Sequence, residues 1–290
     1  MKLKVSIVGA GRVGRTLGKH LRRHGWRIGA VVTRSPVSSR AAVRTIGAGQ
    51  PSAGPAVGVL AADVILLGVP DDALAAVAAA LAKIGGSAWR GKVALHTSGA
   101  LDSNVLAPLA CLGAATGSIH PMQTFGGKIV PDLQGVTIAI EGAPKALRMA
   151  RTIAKTLGGA PVVIACQNKP VYHATALLAA GSGFPLIEIS VQMLVGIGFS
   201  RRRALQTLLP LSRQMLDNIE RIGSRSAWTG PLSRGDYATI AKHVRALRRY
   251  PREVRQSYAA LALLAGRVLS ADPDAALKQI RRALRKTEEE

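Results

Sequence analysis

Polar residues gather at three points where apolar runs end: Val69-Pro70-Asp71-Asp72, His96-Thr97-Ser98-Gly99-Ala100 and His120-Pro121-Met122-Gln123-Thr124-Phe125. An imidazole within hydrogen-bond reach of a carbonyl or imine can polarise it or move a proton. A lone histidine is most often a structural hydrogen-bonding residue. Two of them, His96 and His120, at the ends of successive runs point to a shared site. Neither has a carboxylate or cysteine at ligand spacing, so no metal site is expected. Asp71 has a plainer reading as the cap of a following helix.

A second polar set lies downstream. Asn168-Lys169-Pro170-Val171-Tyr172-His173 leads into a helical stretch, with Pro170 suited to a first turn. Lys169, Tyr172 or His173 could supply or take a proton beside a carbonyl or imine. The plainer reading has Asn168 capping the helix and Tyr172 in the core. Farther on, Arg234 sits among small residues in Thr229-Gly230-Pro231-Leu232-Ser233-Arg234-Gly235-Asp236 and suits a carboxylate or phosphate. Ser233 and Asp236 also fit a capping box. Asp236 and His243 lie on one helical face, so the carboxylate could orient the imidazole. His20 and His24, beside Arg22 and Arg23, read as surface residues at a helix C-terminus.

The elements that would position these groups begin with Leu3–Gly9, an apolar run that reads as a buried parallel strand. Gly9-Ala10-Gly11-Arg12-Val13-Gly14 follows and opens a helix over Arg12–His24. In that place a G-x-G-x-x-G has a mechanism. Gly9 permits the tight turn, Gly11 leaves a pyrophosphate unobstructed, and Gly14 lets the helix close on the sheet. The helix start, at Arg12 and Val13, offers free amides and a positive dipole end to phosphate. A second strand, Ile28–Thr33, ends at Thr33-Arg34-Ser35 where an NAD site would carry Asp or Glu. A guanidinium with two neighbouring hydroxyls suits a 2′-phosphate, so the cofactor expected is NADP. Otherwise Arg34 is a surface loop residue.

Further strands are expected over Asp63–Val69, Lys92–His96, Ala114–Ile119, Val136–Ile140 and Val162–Ala165, with helices to about Ile84 and over Pro144–Leu157. Residues 35–58 carry no firm pattern. Alternating strands and helices mean a doubly wound, mostly parallel α/β sheet. In such sheets ligands bind outside the carboxyl ends of the strands, so Val69, Pro70, His96 and Ser98 are expected to line the nucleotide. After Asn168 strand signals stop. Helical patterns run over 170–198, 201–222, 234–249, 251–269 and 273–286. The expected domains are therefore 1–166, binding the nucleotide, and 167–290, an all-helical substrate and dimerisation domain.

Of the 290 residues 48% are hydrophobic and 19% charged, which excludes a disordered chain. Two distant cysteines, Cys111 and Cys166, exclude a disulfide framework and suit a reducing cytoplasm. Lys+Arg at 39 against Asp+Glu at 16 gives a net charge of +23, which attracts anions. The excess is spread along both halves and aromatics are only 3%, so no dedicated nucleic-acid site is expected. The apolar stretch Ala176–Phe199 carries Glu188 and reads as a buried helix of a bundle or dimer interface, with no membrane span.

The order GAGRVG, DVILLGVPDDAL, LHTSGAL, SIHPMQTF, KPVYHATAL and TGPLSRGD resembles a bacterial family of Rossmann-like oxidoreductases of unknown function. That family is similar to pyrroline-5-carboxylate reductase, ketopantoate reductase, the β-hydroxyacid dehydrogenases and the deazaflavin-dependent NADP reductases. The resemblance implies an NADP-binding domain, a helical domain and a homodimer built through the helices. It carries site roles onto His96, Ser98, His120, Gln123, Lys169, His173, Arg234, Asp236 and His243. One departure stands out: where relatives show Ser-Asn after the YHA segment, this chain has Ala180-Gly181-Ser182-Gly183. The expected activity is NADP-dependent hydride transfer to or from a small anionic C=O or C=N substrate. The alternative is a non-catalytic NADP-binding sensor or interaction module.

Overall fold

The computed structural model describes residues 3–54, 57–127 and 129–285. They divide into two compact units, parting between Ser182 and Gly183.

The first unit is built on an eight-stranded sheet. Its strands are β1 (Lys4–Val8), β2 (Arg27–Thr33), β3 (Gln50–Ala53), β4 (Val64–Leu67), β5 (Val93–His96), β6 (Ala115–Pro121), β7 (Thr137–Gly142) and β8 (Ala160–Val163). They lie in the order β3-β2-β1-β4-β5-β6-β7-β8. All neighbours are parallel except β6 and β7. The mostly parallel α/β sheet expected from the sequence is present. The order reverses direction at β1 and β4, where a doubly wound sheet opens a crevice at its carboxyl edge.

Helices cover both faces. They are α1 (Arg12–Arg23), α2 (Pro36–Ile46), α3 (Asp71–Ala82), the short α4 (Ala107–Ala110) and α5 (Pro144–Thr156). On β4, Val64 and Leu66 pack with Leu17 and Leu21 of α1 and Ile153 of α5. The alternate residues Ile65 and Leu67 pack with Leu74 and Leu81 of α3. This two-sided burial is why β4 reads as a continuous apolar run.

Residues 36–53 form α2 and β3, which apolar periodicity did not reveal. The signals were at the ends. Ser35 accepts from the Ser38 amide as N-cap, Pro36 opens the first turn, and Gly47 closes the helix at φ 85°.

A helical run, Cys166–Gly196, then crosses the division between the units. It comprises α6 (Lys169–Ala176), a π turn at Leu177–Gly181 and α7 (Gly183–Gly196). By length and composition it could cross a membrane, and only 6% of its most apolar window is buried. Of the two sequence readings, burial inside a bundle of this chain is corrected here: the run's most apolar window is largely uncovered within the chain. The first unit extends past the boundary expected at 166 because Lys169 and Tyr172 tie α6 to the sheet.

The second unit holds α7, α8 (Arg201–Ile222), the short α9 (Ser224–Ala227), α10 (Tyr237–Ala246), α11 (Arg252–Leu269) and α12 (Pro273–Arg285). Ala276, Leu277, Ile280 and Ala283 bury one face of α12. The helix starts expected at 251 and 273 match those observed: Pro251 is the N-cap of α11 and Pro273 is the first residue of α12. Cys111 and Cys166 are both free and exposed.

Candidate active site

Three backbones meet at the carboxyl edge of β1 and β4. Gly9 has φ 85°, and a Cβ there would lie 2.5 Å from Val69 Cγ1 and 2.6 Å from the Val69 nitrogen. A Cβ on Gly14 would lie 2.5 Å from the Gly9 carbonyl oxygen, and one on Gly68 would lie 2.7 Å from the same atom. Gly68, which sequence reasoning missed, is thus a third member of the cradle; its place directly after the β4 run was the available signal. Gly11 differs. A Cβ there would meet only the Gly68 carbonyl oxygen, at 3.8 Å. The turn is sterically closed at Gly9, Gly14 and Gly68 and open at Gly11.

Gly11 is the N-cap of α1 and makes no side-chain cap bond, and the first turn of α1 has no acidic residue. By helix geometry the amides of Arg12, Val13 and Gly14 have no acceptor within the helix. They and the dipole end suit a phosphate. The Gly9 amide donates to Val32 O at 2.9 Å, which sets the end of β2 beside this turn. There Arg34 is exposed, Thr33 Oγ1 donates to Ser35 O at 2.9 Å, and Ser35 caps α2. The donor set fits a dinucleotide with an added phosphate.

Along the same edge, β5 ends at His96. The Ser98 amide donates to His96 Nδ1 at 3.2 Å, and His96 Nε2 lies 3.1 Å from the Asp102 carbonyl, which can only accept. Both bonds are satisfied by one neutral tautomer. Burial first, and then the nearby Lys169 ammonium, lower the His96 pKa from 6.5 to about 4. Ser98 Oγ donates to Asp71 Oδ2 at 2.8 Å and accepts from the Ala100 and Leu101 amides. Asp71 therefore binds the β5 loop, beyond any capping of its own helix.

Beyond β6, His120 Nδ1 is 3.2 Å from the Tyr172 hydroxyl, and its ring stands edge-on to His173 at 5.6 Å. A Cβ on Gly99 would fall 2.5 Å from His173 Cδ2 and 2.8 Å from His120 Nε2, so glycine is what lets both imidazoles approach that backbone. Burial, with His173 and Lys169 adding positive charge, lowers the His120 pKa to about 4. Burial raises the Tyr172 phenol to about 12. Lys169 is 2% exposed. Its Nζ donates to Ser118 Oγ at 2.7 Å and to Ser98 O at 3.0 Å. Ser118 Oγ donates onward to Glu141 Oε2 at 3.2 Å, and Glu141 also accepts from the amide and hydroxyl of Ser103. Glu141 was not singled out from the sequence; as a lone acid inside the apolar strand TIAIEG over 137–142 it was the one anomaly on offer.

His96, Ser98, His120, Lys169 and His173 thus come together within the first unit. Gln123 stands apart from them, its side chain accepting from the Thr124 amide at 2.8 Å. Arg234, Asp236 and His243 belong to the second unit. Several expectations need correction. Asn168 makes no side-chain cap bond on α6. Asp236, not Ser233, caps α10, accepting from the amide and hydroxyl of Thr239; Ser233 donates to Gly230 O instead. Asp236 does not orient His243, whose Nδ1 lies 2.8 Å from the Tyr258 hydroxyl. His20 is buried rather than on the surface, with Nε2 3.0 Å from Pro131 O. Among the described residues no group of three or more His, Cys, Asp or Glu could hold a metal.

The Rossmann-like domain family matches residues 1–121, and the domain of unknown function DUF2520 matches residues 136–265. The chain joins a Rossmann-like domain to a DUF2520 domain. The DUF2520 match starts at the last two strands, so Glu141 and Lys169 belong to it while Ser98 and Ser118 belong to the Rossmann-like part. Three solved structures resemble the whole chain. A protein assigned as an NADP oxidoreductase from Bacteroides fragilis is 20% identical, with TM-score 0.76, covering 96% of this chain and 98% of that one. An imine reductase from Pseudomonas sp. is 19% identical, with TM-score 0.67, covering 97% and 100%. A reductive aminase from Aspergillus terreus, in complex with NADPH and ethyl-5-oxohexanoate, is 17% identical, with TM-score 0.63, covering 99% and 95%. Likeness at this identity shows a shared fold. No curated protein matches the chain in sequence.

The neutral His96 has a consequence for stability. Unfolded, this imidazole titrates near 6.5; folded, near 4. Its contribution is fully present above pH 6.5 and is lost as pH falls through 4, a change of about 3 kcal/mol. Urea midpoints measured between pH 7.5 and 4 should fall, and His96→Gln should flatten that slope while lowering the midpoint at pH 7.5.

Proposed function

We propose that this chain is an NADP-dependent oxidoreductase, moving hydride between nicotinamide and a small anionic C=O or C=N substrate. The observation that carries the reading is the glycine cradle: closed by backbone at Gly9, Gly14 and Gly68, open at Gly11, and beside Arg34 at the end of β2. In this reading Gly11 leaves room for the pyrophosphate, and the amides of Arg12, Val13 and Gly14 take it. Arg34, with Thr33 and Ser35, takes the 2′-phosphate. Val69, Pro70, His96 and Ser98 line the strand ends along which the dinucleotide lies. NADP, when bound, supplies or accepts the hydride. The similarity to an assigned NADP oxidoreductase and to a reductive aminase complexed with NADPH supports the same cofactor.

The chain's own residues then orient the substrate and hold protons. His120 is unprotonated at neutral pH and acts as a hydrogen-bonding group, polarising the reacting oxygen or nitrogen with Tyr172 fixing its ring. His173 is exposed beside it, edge-on to its ring. Arg234, in the second unit, is a guanidinium suited to an anionic group, and Asp236, by capping α10, holds the turn that carries it. His243 anchors α10 to α11 through Tyr258.

The same reading makes the chain a homodimer in the cytoplasm. Leu211, Met215, Ile219 and Ile222 share one face of α8 and are exposed, as are Leu264 and Val268 on α11. An apolar face of that extent is what an obligate interface buries. Against a membrane span stands Glu188, inside the apolar run and paired with both nitrogens of the Arg201 fork at 2.8 Å.

Three tests follow from these assignments. Gly11→Val should keep its melting temperature yet lose NADPH uptake by calorimetry at least about tenfold, since only the ligand's space is filled. Arg34→Ala should weaken NADPH by roughly tenfold or more and leave NADH nearly unchanged; equal effects on the two would refute the phosphate role. Met215→Glu with Ile219→Glu should convert the dimer to a folded monomer by light scattering.

A further inference from the structure

The helix α6 meets the sheet at two points with matched spacing. Ser118 and His120 are two apart on β6 and so share one face; Lys169 and Tyr172 are three apart on α6 and share one side of the helix. Lys169 reaches Ser118 at 2.7 Å and Tyr172 reaches His120 at 3.2 Å. The lysine also holds Ser98 O at 3.0 Å, at the end of the neighbouring strand β5. One ammonium therefore joins the loop after β5, the middle of β6 and a helix.

Its hydrogen bonds run in one direction. Lys169 donates to Ser118 Oγ, whose own proton goes to Glu141 Oε2. Glu141 is 8% exposed and accepts three donors in all: Ser118 Oγ and the Ser103 amide on Oε2, and Ser103 Oγ on Oε1. A buried ammonium requires a compensating charge, and a buried carboxylate requires donors. Each supplies the other's need through one hydroxyl. Two of the three Lys169 ammonium protons are engaged, and bringing the third to a substrate would mean uncovering a side chain that is 2% exposed.

We propose that Lys169 is a positioning residue: with Glu141 as its counter-ion it locks α6 to the loop after β5 and to β6, holds His120 where Tyr172 can reach it, and donates no proton to substrate. The inference deepens the oxidoreductase reading and rests on it only for the rate measurements below. The cluster draws on both matched segments: the lysine and the carboxylate lie in the DUF2520 match, the two acceptors in the Rossmann-like match. The charged and titratable groups around His120 are His173 and Tyr172 from α6, Lys169 from the same helix, and His96 from β5.

Lys169→Met, Glu141→Gln and the double variant separate positioning from proton donation. Each single change leaves one buried charge alone; the double removes both. Three quantities are read: the thermal midpoint, the His120 imidazole resonances in histidine-labelled protein, and kcat and KM for NADPH oxidation with small oxo acids and amines. Positioning predicts that Lys169→Met shifts the His120 resonances and lowers kcat about tenfold with little change in KM, and that the double variant recovers most of both. A double variant as slow as Lys169→Met, with His120 unmoved in either, overturns the proposal. Should Lys169→Met fail to fold, recovery of a folded chain with native His120 resonances in the double variant supports it, and failure of the double overturns it. If the wild-type chain oxidises no NADPH, the oxidoreductase reading falls, while the midpoints and resonances still decide the role of Lys169.

Discussion

The contact among β1, β4 and α1 sets the geometry of everything else at the sheet edge. Gly9 O lies where side chains on Gly14 and Gly68 would have to begin. With none present, α1 packs against the sheet from its first turn, and its uncapped amides end up between two strand termini. A side chain at any of the three positions would push the helix outward and turn those amides away from the crevice. The parallel pairing of β1, β4, β5 and β6 then puts the ends of all four strands on that same edge. Gly68, Ser98 and His120 follow from that alignment without any further device.

The features visible in the sequence are the ones that depend on near neighbours. The buried strands β1 and β4 announce themselves as unbroken apolar runs, and the glycine turn has its meaning from what precedes and follows it. α2 was hidden because its interior is rich in Ser, Arg and Thr, and only its caps, Ser35 with Pro36 and Gly47, carry the signal. Asp236 and His243 illustrate the opposite error. Helical spacing puts them on one side, but a side chain bonds what is nearest, and for Asp236 that is Thr239, for His243 Tyr258.

Burial of polar groups was the least legible property. Lys169 and Glu141 are 28 positions apart in the chain, and nothing local to either says that they share Ser118. His20 looks like a cation at a helix end, yet it turns inward to the Pro131 carbonyl. In both cases the partner comes from a distant segment, so only the assembled sheet reveals it. The apolar run 166–196 is the complementary case. Its sequence demands burial, and a single chain does not provide it.

The charge of the molecule obeys two regimes that the site depends on. Most of the excess of 39 basic over 16 acidic residues lies on solvated faces, where water and salt screen each guanidinium and its neighbours matter little. Lys169 is in the other regime. Removed from water, its ammonium lowers the pKa of both His96 and His120, in each case beside the larger effect of burial. Burial also lowers the pKa of Lys169 itself, while Glu141, Asp102 and Asp71 oppose that change. One cation compensated by a cluster of nearby acids thus helps keep two imidazoles neutral. Neutral rings retain a nitrogen that accepts, as His96 Nδ1 does from the Ser98 amide, and a protonated ring would give that bond up. The shape of the β5 loop and the protonation state of the edge are therefore linked, by burial first and by the nearby lysine second.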